Sequence, residues 1–479
     1  VLRLGLPLTL TACGGDSVPP AATKGAAPIQ TLAYVVSECR GNGAEFFERY
    51  ALVVQNGERA PVTVAEIPEL GPAESAIGDA CQLLGLQRIG DLSIARGGFT
   101  RLGVSPDGST VVFEQTDEFS VAFHDFLAPK QEGIFSVRAD GTGLRRLGPA
   151  SREPPFVFPT VNLFPHYAFS PDGRTIVYPD RGPSLAGEDA SQVFTLNLTT
   201  GARAQLTHLP FVAPGQAFTA VFRPFFLDNE TILFYSLANP DRPDDPNTEG
   251  TVFGFTVKVD GSDLETLTSP VASPGAQIVP VFAITGAHPT AVVLPVPGEP
   301  VGPPVTAPPR TTIQDLFVLD GKNLLQLTNF RRSDTAEFGA LVGVGGQHVF
   351  FPASADPLGT NPTENCQLFS IDRTGADLRQ LTNFQEVDRS QAGCDFNVHP
   401  GCGVELIAQD TANQTLIFAS GCNPFGMNPR GGQIFAIHPD GSGLRQLTDL
   451  RELKTDPDGT VRAELPGPVA YGPGLGALP

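Results

Sequence analysis

The chain has 479 residues, 41% apolar and only 17% charged, so it can bury a large core and does not have the composition of a disordered protein. Thirty-one basic residues against fifty-one acidic ones leave a formal charge of −20. That balance repels phosphate backbones and argues against nucleic acid as a partner, and no apolar run reaches the roughly 18 residues of a spanning helix.

At the start, Val1–Cys13 places Arg3 ahead of a short apolar run ending Leu10-Thr11-Ala12-Cys13. This resembles a bacterial lipobox, whose cysteine is lipidated after the preceding residues are removed. The alternative is a frayed terminus with an incidental cysteine. Residues 14–30 are small, polar and Pro-containing, as in a flexible tether. The expected location is therefore the bacterial cell envelope, on the periplasmic side or the cell surface, with membrane contact through the lipid anchor only. Three strands are expected next, around Leu32–Val36, Tyr50–Val54 and Ala60–Val64.

From there a pattern recurs six times: an apolar strand, a turn, then an alternating strand closing on leucine. The closing leucines are 147, 206, 267, 327, 381 and 447, roughly sixty residues apart, which marks a repeat architecture. Asp140-Gly141, Asp260-Gly261, Asp320-Gly321 and Asp440-Gly441 sit at the turns. Asp-Gly suits tight hairpins because Gly accepts positive φ and Asp tolerates it. Upstream of these copies come continuous apolar runs, such as Thr110–Phe113, Thr175–Tyr178, Thr231–Phe234, His348–Phe351 and Thr415–Phe418. A strand reads this way when both faces are buried. Two of these runs follow Ser105-Pro-Asp107-Gly108 and Ser170-Pro-Asp172-Gly173.

The Ser-Pro-Asp-Gly turn, the buried strand and the later Asp-Gly-x-x-Leu-x-x-Leu-Thr together resemble the repeats of TolB-like and WD-like β-propellers. The resemblance covers about residues 31–470. It implies an all-β propeller over 31–472 with a tail at 473–479. Seven four-stranded blades is the expected count, with six and eight as alternatives. The N-terminal unit lacks an innermost strand. Either Thr460–Leu465 or Pro468–Tyr471 is expected to supply it and close the ring. The resemblance further implies a protein-interaction scaffold binding an envelope protein, a peptide or a glycan. The amino-terminal domain of the TolB family is not evident here, so TolB's own partners do not carry over.

In a four-stranded blade, the first-to-second and third-to-fourth turns share one side. The second-to-third loops and the blade links share the other. Here the second group is the longer, including 118–133, 180–192, 237–251, 295–314, 354–366 and 420–432. Long loops on a rigid face are where binding residues concentrate. Cys39, Cys81, Cys366, Cys394, Cys402 and Cys422 all map to that side as disulfide candidates. Cys39–Cys81 is the natural first pair, and the other four allow three connectivities. A redox or metal cluster is the alternative.

Asp241, Asp244, Asp245 and Glu249 concentrate oxygen ligands suited to calcium. The Asp-x-Asp-x-Asp-Gly spacing is missing and prolines interrupt, so a solvated acidic loop is the simpler reading and no cofactor is expected. Residues 295–309 hold seven prolines, read as a stiff extended loop. No Gly-x-Ser-x-Gly elbow occurs, and the expectation leans away from an enzyme. The rival readings are a propeller lyase or hydrolase with its site at the central channel, and a surface adhesive or structural protein.

Overall fold

The computed structural model describes residues 31–42, 45–57, 59–70, 98–116, 132–153, 167–211, 221–236, 238, 253–266, 279–281, 290–297, 312–320, 323–328, 341–342, 347–363, 365–385, 403–410, 414–426, 432–450, 454–455, 457–459, 461–472 and 474–476. All regular elements among them are strands.

The first three strands are β1 (Thr31–Asn42), β2 (Glu45–Asn56) and β3 (Val62–Leu70). Six sheets of four consecutive strands follow; they are the blades, six and not the seven expected from the repeat, because the first three strands lack an inner strand of their own and do not form a four-strand repeat unit. Sheet B is β4 (Gly98–Val104), β5 (Thr110–Thr116), β6 (Gly133–Arg138) and β7 (Arg145–Gly148). Sheet C is β8 (Ala168–Phe169), β9 (Thr175–Pro183), β10 (Asp189–Asn197) and β11 (Arg203–Gln205). Sheet D is β12 (Val221–Phe226), β13 (Thr231–Ser236), β14 (Phe253–Lys258) and β15 (Glu265–Thr266). Sheet E is β16 (Val279–Val281), β17 (Thr290–Pro297), β18 (Thr312–Asp320) and β19 (Asn323–Gln326). Sheet F is β20 (Leu341–Val342), β21 (His348–Ala353), β22 (Gln367–Asp372) and β23 (Arg379–Gln380). Sheet G is β24 (Val404–Asp410), β25 (Leu416–Ser420), β26 (Gln433–Ile437) and β27 (Arg445–Gln446).

The chain's end returns to two of these sheets. Strands β28 (Lys454–Thr455) and β29 (Val461–Gly472) join the first three in a composite sheet A, ordered β28-β29-β1-β2-β3. One strand, β29, spans both segments offered from the sequence as the partner of β1, and its pairing breaks register between Tyr34 and Val36. Strand β30 (Gly474–Gly476) then adds to the free edge of β24. Residues 473–479, which the sequence alone reads as a tail, thus contribute a strand.

The second strands of sheets B, D, F and G are deeply buried, as their unbroken apolar character requires. Phe113, Phe234, Phe351 and Phe418 are all within 1% of full burial. Each stacks on the phenylalanine opposite it in the third strand: Phe135, Phe255, Phe369 and Phe435, with ring centroids 5.3–5.9 Å apart. Five apolar clusters fill the spaces between sheets. They join E with F and G, G with A, A with B, B with C, and C with D. The closest approaches between neighbouring sheets all involve a first strand, such as β29 on β4, β4 on β8, β8 on β12 and β24 on β29. The sheets therefore splay outward from their first strands, which is the geometry of a β-propeller.

Polar residues of the repeat fasten sheets C, F and G internally. Gln192, Gln367 and Gln433, just ahead of their third-strand Val-Phe, Leu-Phe and Ile-Phe pairs, are buried. Each Gln Oε1 accepts from a Thr hydroxyl: Thr207 at 2.9 Å, Thr382 at 2.8 Å and Thr448 at 2.7 Å. Each Gln Nε2 donates to a backbone carbonyl two residues past that Thr: Leu209, Phe384 and Leu450. These Thr are the ones in the repeat's Leu-Thr ending, which explains that motif. The clasp satisfies backbone groups where the short fourth strand stops.

The turn residues singled out in the sequence act as local caps. Asp140, Asp260 and Asp440 each accept, through Oδ1, from the backbone N–H and the hydroxyl two residues on. Asp107 and Asp172 each accept from a serine hydroxyl at 2.6 Å within Ser-Pro-Asp-Gly. Hydrogen bonds to the ionised form hold all five carboxyls below their ordinary pKa, against burial at Asp107. Gly108, Gly141, Gly173, Gly261 and Gly441 all take positive φ. At Gly441 (φ 84°) a Cβ would also lie 3.0 Å from the Leu381 carbonyl of the preceding sheet, so the glycine serves both turn and packing.

Residues 180–192 were expected to be a long loop. Instead β9 and β10 extend as a hairpin paired from Asn197–Thr175 out to Asp189–Pro183, leaving only 184–188 as the turn.

Candidate functional site: a buried ionic cluster between sheets B and C

Six charged side chains meet between sheets B and C. Arg101 of β4 is fully buried. Its Nη1 donates to Glu114 Oε1 at 2.6 Å, and its Nη2 to the Glu153 carbonyl at 2.8 Å. Glu114 Oε2 accepts from the Tyr167 hydroxyl at 2.9 Å and from the Ser151 amide at 3.0 Å. On the sheet C side, Asp180 of β9 accepts from the amides of Arg152 at 2.7 Å and Arg181 at 2.6 Å. Its other oxygen takes the Arg203 guanidinium, which lies 3.9 Å over the Phe194 ring and donates to Tyr178 at 3.0 Å.

Glu153 is the odd member. Its side chain is fully buried, 3.7 Å from Arg181 Nη1, and neither carboxylate oxygen has a hydrogen-bond partner. Burial raises its pKa to about 7, opposed by the positive charges of Arg181 and Arg101 and assisted by Asp180. The nearby Ser191 hydroxyl also lowers it, by more than Arg101 does, without hydrogen-bond geometry. Arg181 is shared: its Nε donates to Asp189 at 3.0 Å at the surface. Burial, with the Glu114 carboxylate beside it, pushes the Tyr167 hydroxyl well above its ordinary pKa, and Tyr178 rises to about 12, also mainly through burial.

The topology places this cluster in the half of the interface nearer the long connections. Glu114 sits towards the end of β5 that leads into 117–132. Asp180 lies in the outer half of β9, and Glu153 follows β7 in the blade link. Chemically, the cluster holds several balanced charges and one carboxyl able to exchange a proton near neutrality. All of these groups except Arg181 and Arg203 are sealed from solvent.

The residues nominated from sequence lie elsewhere. Cys366 and Cys422 are buried in the same apolar cluster of sheets F and G. Cys39 is within β1, opposite Glu48 on one side and Ala463 on the other, and so inside a strand and not in a loop. Cys13, Cys81, Cys394, Cys402, Asp241, Asp244, Asp245 and Glu249 lie outside the described residues. Among the described residues no group of three or more His, Cys, Asp or Glu is arranged to hold a metal. The cluster itself was missed. The available signal was a charge closing an apolar run, as in Val111-Val-Phe-Glu114 and Ile176-Val-Tyr-Pro-Asp180.

The class of fold is thus an all-β propeller. No family model matches the chain, and no curated protein matches it. Solved structures similar to it include the β-propeller domain of the Trilobed protease from Pyrococcus furiosus, at 10% identity and TM-score 0.41, over 76% of this chain and 88% of that one. Oligogalacturonate lyase from Vibrio parahaemolyticus is similar at 10% identity and TM-score 0.42, over 83% and 95%. Pyrococcus horikoshii acylaminoacyl peptidase is similar at 11% and 0.44; the match takes in 91% of this chain but only 56% of that one. At these values the likeness is one of architecture, and the assignment rests on the sheets themselves.

Proposed function

We propose that this protein is an exported, lipid-anchored propeller of the bacterial cell envelope, working as a TolB-like binding scaffold for an envelope protein, a peptide or a glycan. The observation that supports a scaffold is the asymmetry of the two sides. One side carries short turns capped by their own Asp and Ser side chains, such as 105–109, 139–144, 170–174 and 438–444. The other carries the long spans from Thr116 to Gly133, Ser236 to Phe253 and Pro297 to Thr312. Rigid sheets holding variable spans on one side are the usual arrangement for recognition. Replacing 239–250 and 298–311 by short Gly-Ser links should abolish partner capture in crosslinked envelopes while leaving the melting temperature unchanged. Undiminished capture would reject that side. In the same cells, Cys13→Ser should release the protein from the membrane fraction; retention there would reject the lipid anchor.

The cysteines act in this reading as staples. Cys366 and Cys422 are each buried within 1% in one cluster, where a disulfide is protected from reductants. Peptide mapping without reduction should recover both in disulfide-linked peptides, and recovery of free thiols would refute the staples. A second reading, an enzyme, draws on Glu153, whose near-neutral carboxyl has the character of a general acid. Its burial among paired charges favours a structural role over contact with substrate.

A further inference from the structure

The C-terminal residues occupy an edge that another chain could use. Strand β24 is the first strand of sheet G, and its outward edge is taken by β25. Its inward edge, on the side where first strands of neighbouring sheets converge, receives β30. The register is Ala408 with Gly476, Gln409 with Leu475 and Asp410 with Gly474. Among the described residues these three pair with β24, which begins at Val404. Just before β30, the Tyr471 hydroxyl donates to the buried Asp410 carboxylate, holding the end of β29 beside β24.

Two features make β30 a weak occupant. Gly-Leu-Gly has poor strand propensity, since glycine loses the most backbone entropy and brings no side chain to pack. The three pairs among the described residues supply few hydrogen bonds against the cost of ordering them. The inward edge nevertheless accepts an extended chain, which is the requirement for recognition by strand addition. The pattern opposite Ala408–Asp410 is small, apolar, small.

We propose that the inward edge of β24 is a strand-acceptor site for an extended peptide with a small–apolar–small core, and that residues 474–476 occupy it in cis as a displaceable plug. The inference goes beyond the scaffold reading, because Asp410 lies at the end of β24 that leads into the short turn to β25, away from the long spans.

The probe is a fluorescent synthetic peptide with the sequence of residues 471–479. Gly474→Pro together with Gly476→Pro removes strand pairing in cis. The peptide should bind this variant saturably and at least tenfold more tightly than the unaltered protein. A peptide with proline in place of both core glycines should not bind, because it cannot pair with the strand edge. Equal binding to both proteins, or none to either, overturns the proposal. Hydrogen exchange on the unaltered protein gives an independent reading should the variant misfold. Amides 474–476 should exchange at least tenfold faster than those of Val469–Tyr471. Exchange at the same rate would make β30 an integral strand and also overturn the proposal. Shortening 239–250 and 298–311 should leave peptide binding intact, so failure here and failure of the long-span face remain distinguishable.

Discussion

Replacing Arg101 by methionine should destabilise the protein by about 3–5 kcal/mol, the usual cost of removing one partner from a buried ion pair. The substitution keeps much of the side-chain volume, so the loss reports charge and hydrogen bonding more than a cavity. It removes the 2.6 Å bond to Glu114 and the 2.8 Å bond to the Glu153 carbonyl. Glu114 would keep its bonds from Tyr167 and Ser151, but its charge would lose the buried Arg101 guanidinium. The link after β7 would lose its tie to β4, so sheets B and C should loosen together. Urea denaturation followed by tyrosine fluorescence measures the shift in midpoint. Adding Glu114→Gln should recover a substantial part of the loss, because the uncompensated charge goes with it. If Arg101→Met shifts the midpoint by less than the equivalent of 1 kcal/mol, the pair is not holding the interface.

Much of the fold was legible because its local and global requirements agree. Val111–Phe113, Ile232–Phe234 and Leu416–Phe418 read as doubly buried strands, and each lies within 1% of full burial. Asp-Gly and Ser-Pro-Asp-Gly read as turns because the backbone there needs φ values that few residues tolerate. The partner of β1 could be sought at the far end of the chain because a blade with a missing inner strand would leave an open edge.

Other parts were not legible, for physical reasons. Residues 180–192 carry Asp180, Arg181, Pro183, Ser184, Glu188 and Asp189, a composition that reads as loop. In the fold, Asp180 and Asp189 are matched by Arg203, Arg181 and Arg152. Tertiary ion pairing thus permits a strand that local propensity does not suggest. Strand β30 is a strand only because β24 offers an edge, and no local signal in Gly-Leu-Gly could announce it. The ionic cluster draws on residues far apart in the chain, Arg101, Glu114, Glu153 and Asp180. Each alone looks like an ordinary surface charge, and only the packing of sheet B on sheet C makes them one unit.

Replacing Glu153 by glutamine should flatten the pH dependence of stability between about pH 4.5 and 7. Its carboxyl is raised from 4.5 to about 7 in the folded protein. The folded state therefore holds a proton that the unfolded state has released across that window. Stability from this group is highest below the unfolded pKa. It falls as pH rises towards the folded pKa and is constant beyond it, a total change on the order of 3 kcal/mol. The turn carboxyls of Asp107, Asp140, Asp172, Asp228, Asp260, Asp372 and Asp440 work in the opposite direction. Their folded pKa values are lowered, so what they contribute is present above the unfolded value and is lost as pH falls. Glutamine removes the titrating group while keeping the shape, so the variant should be more stable than the parent at pH 8 and close to it at pH 5. Urea midpoints at these two pH values measure this. A variant whose midpoint tracks the parent at both would mean that Glu153 meets a compensating partner and does not titrate in this window.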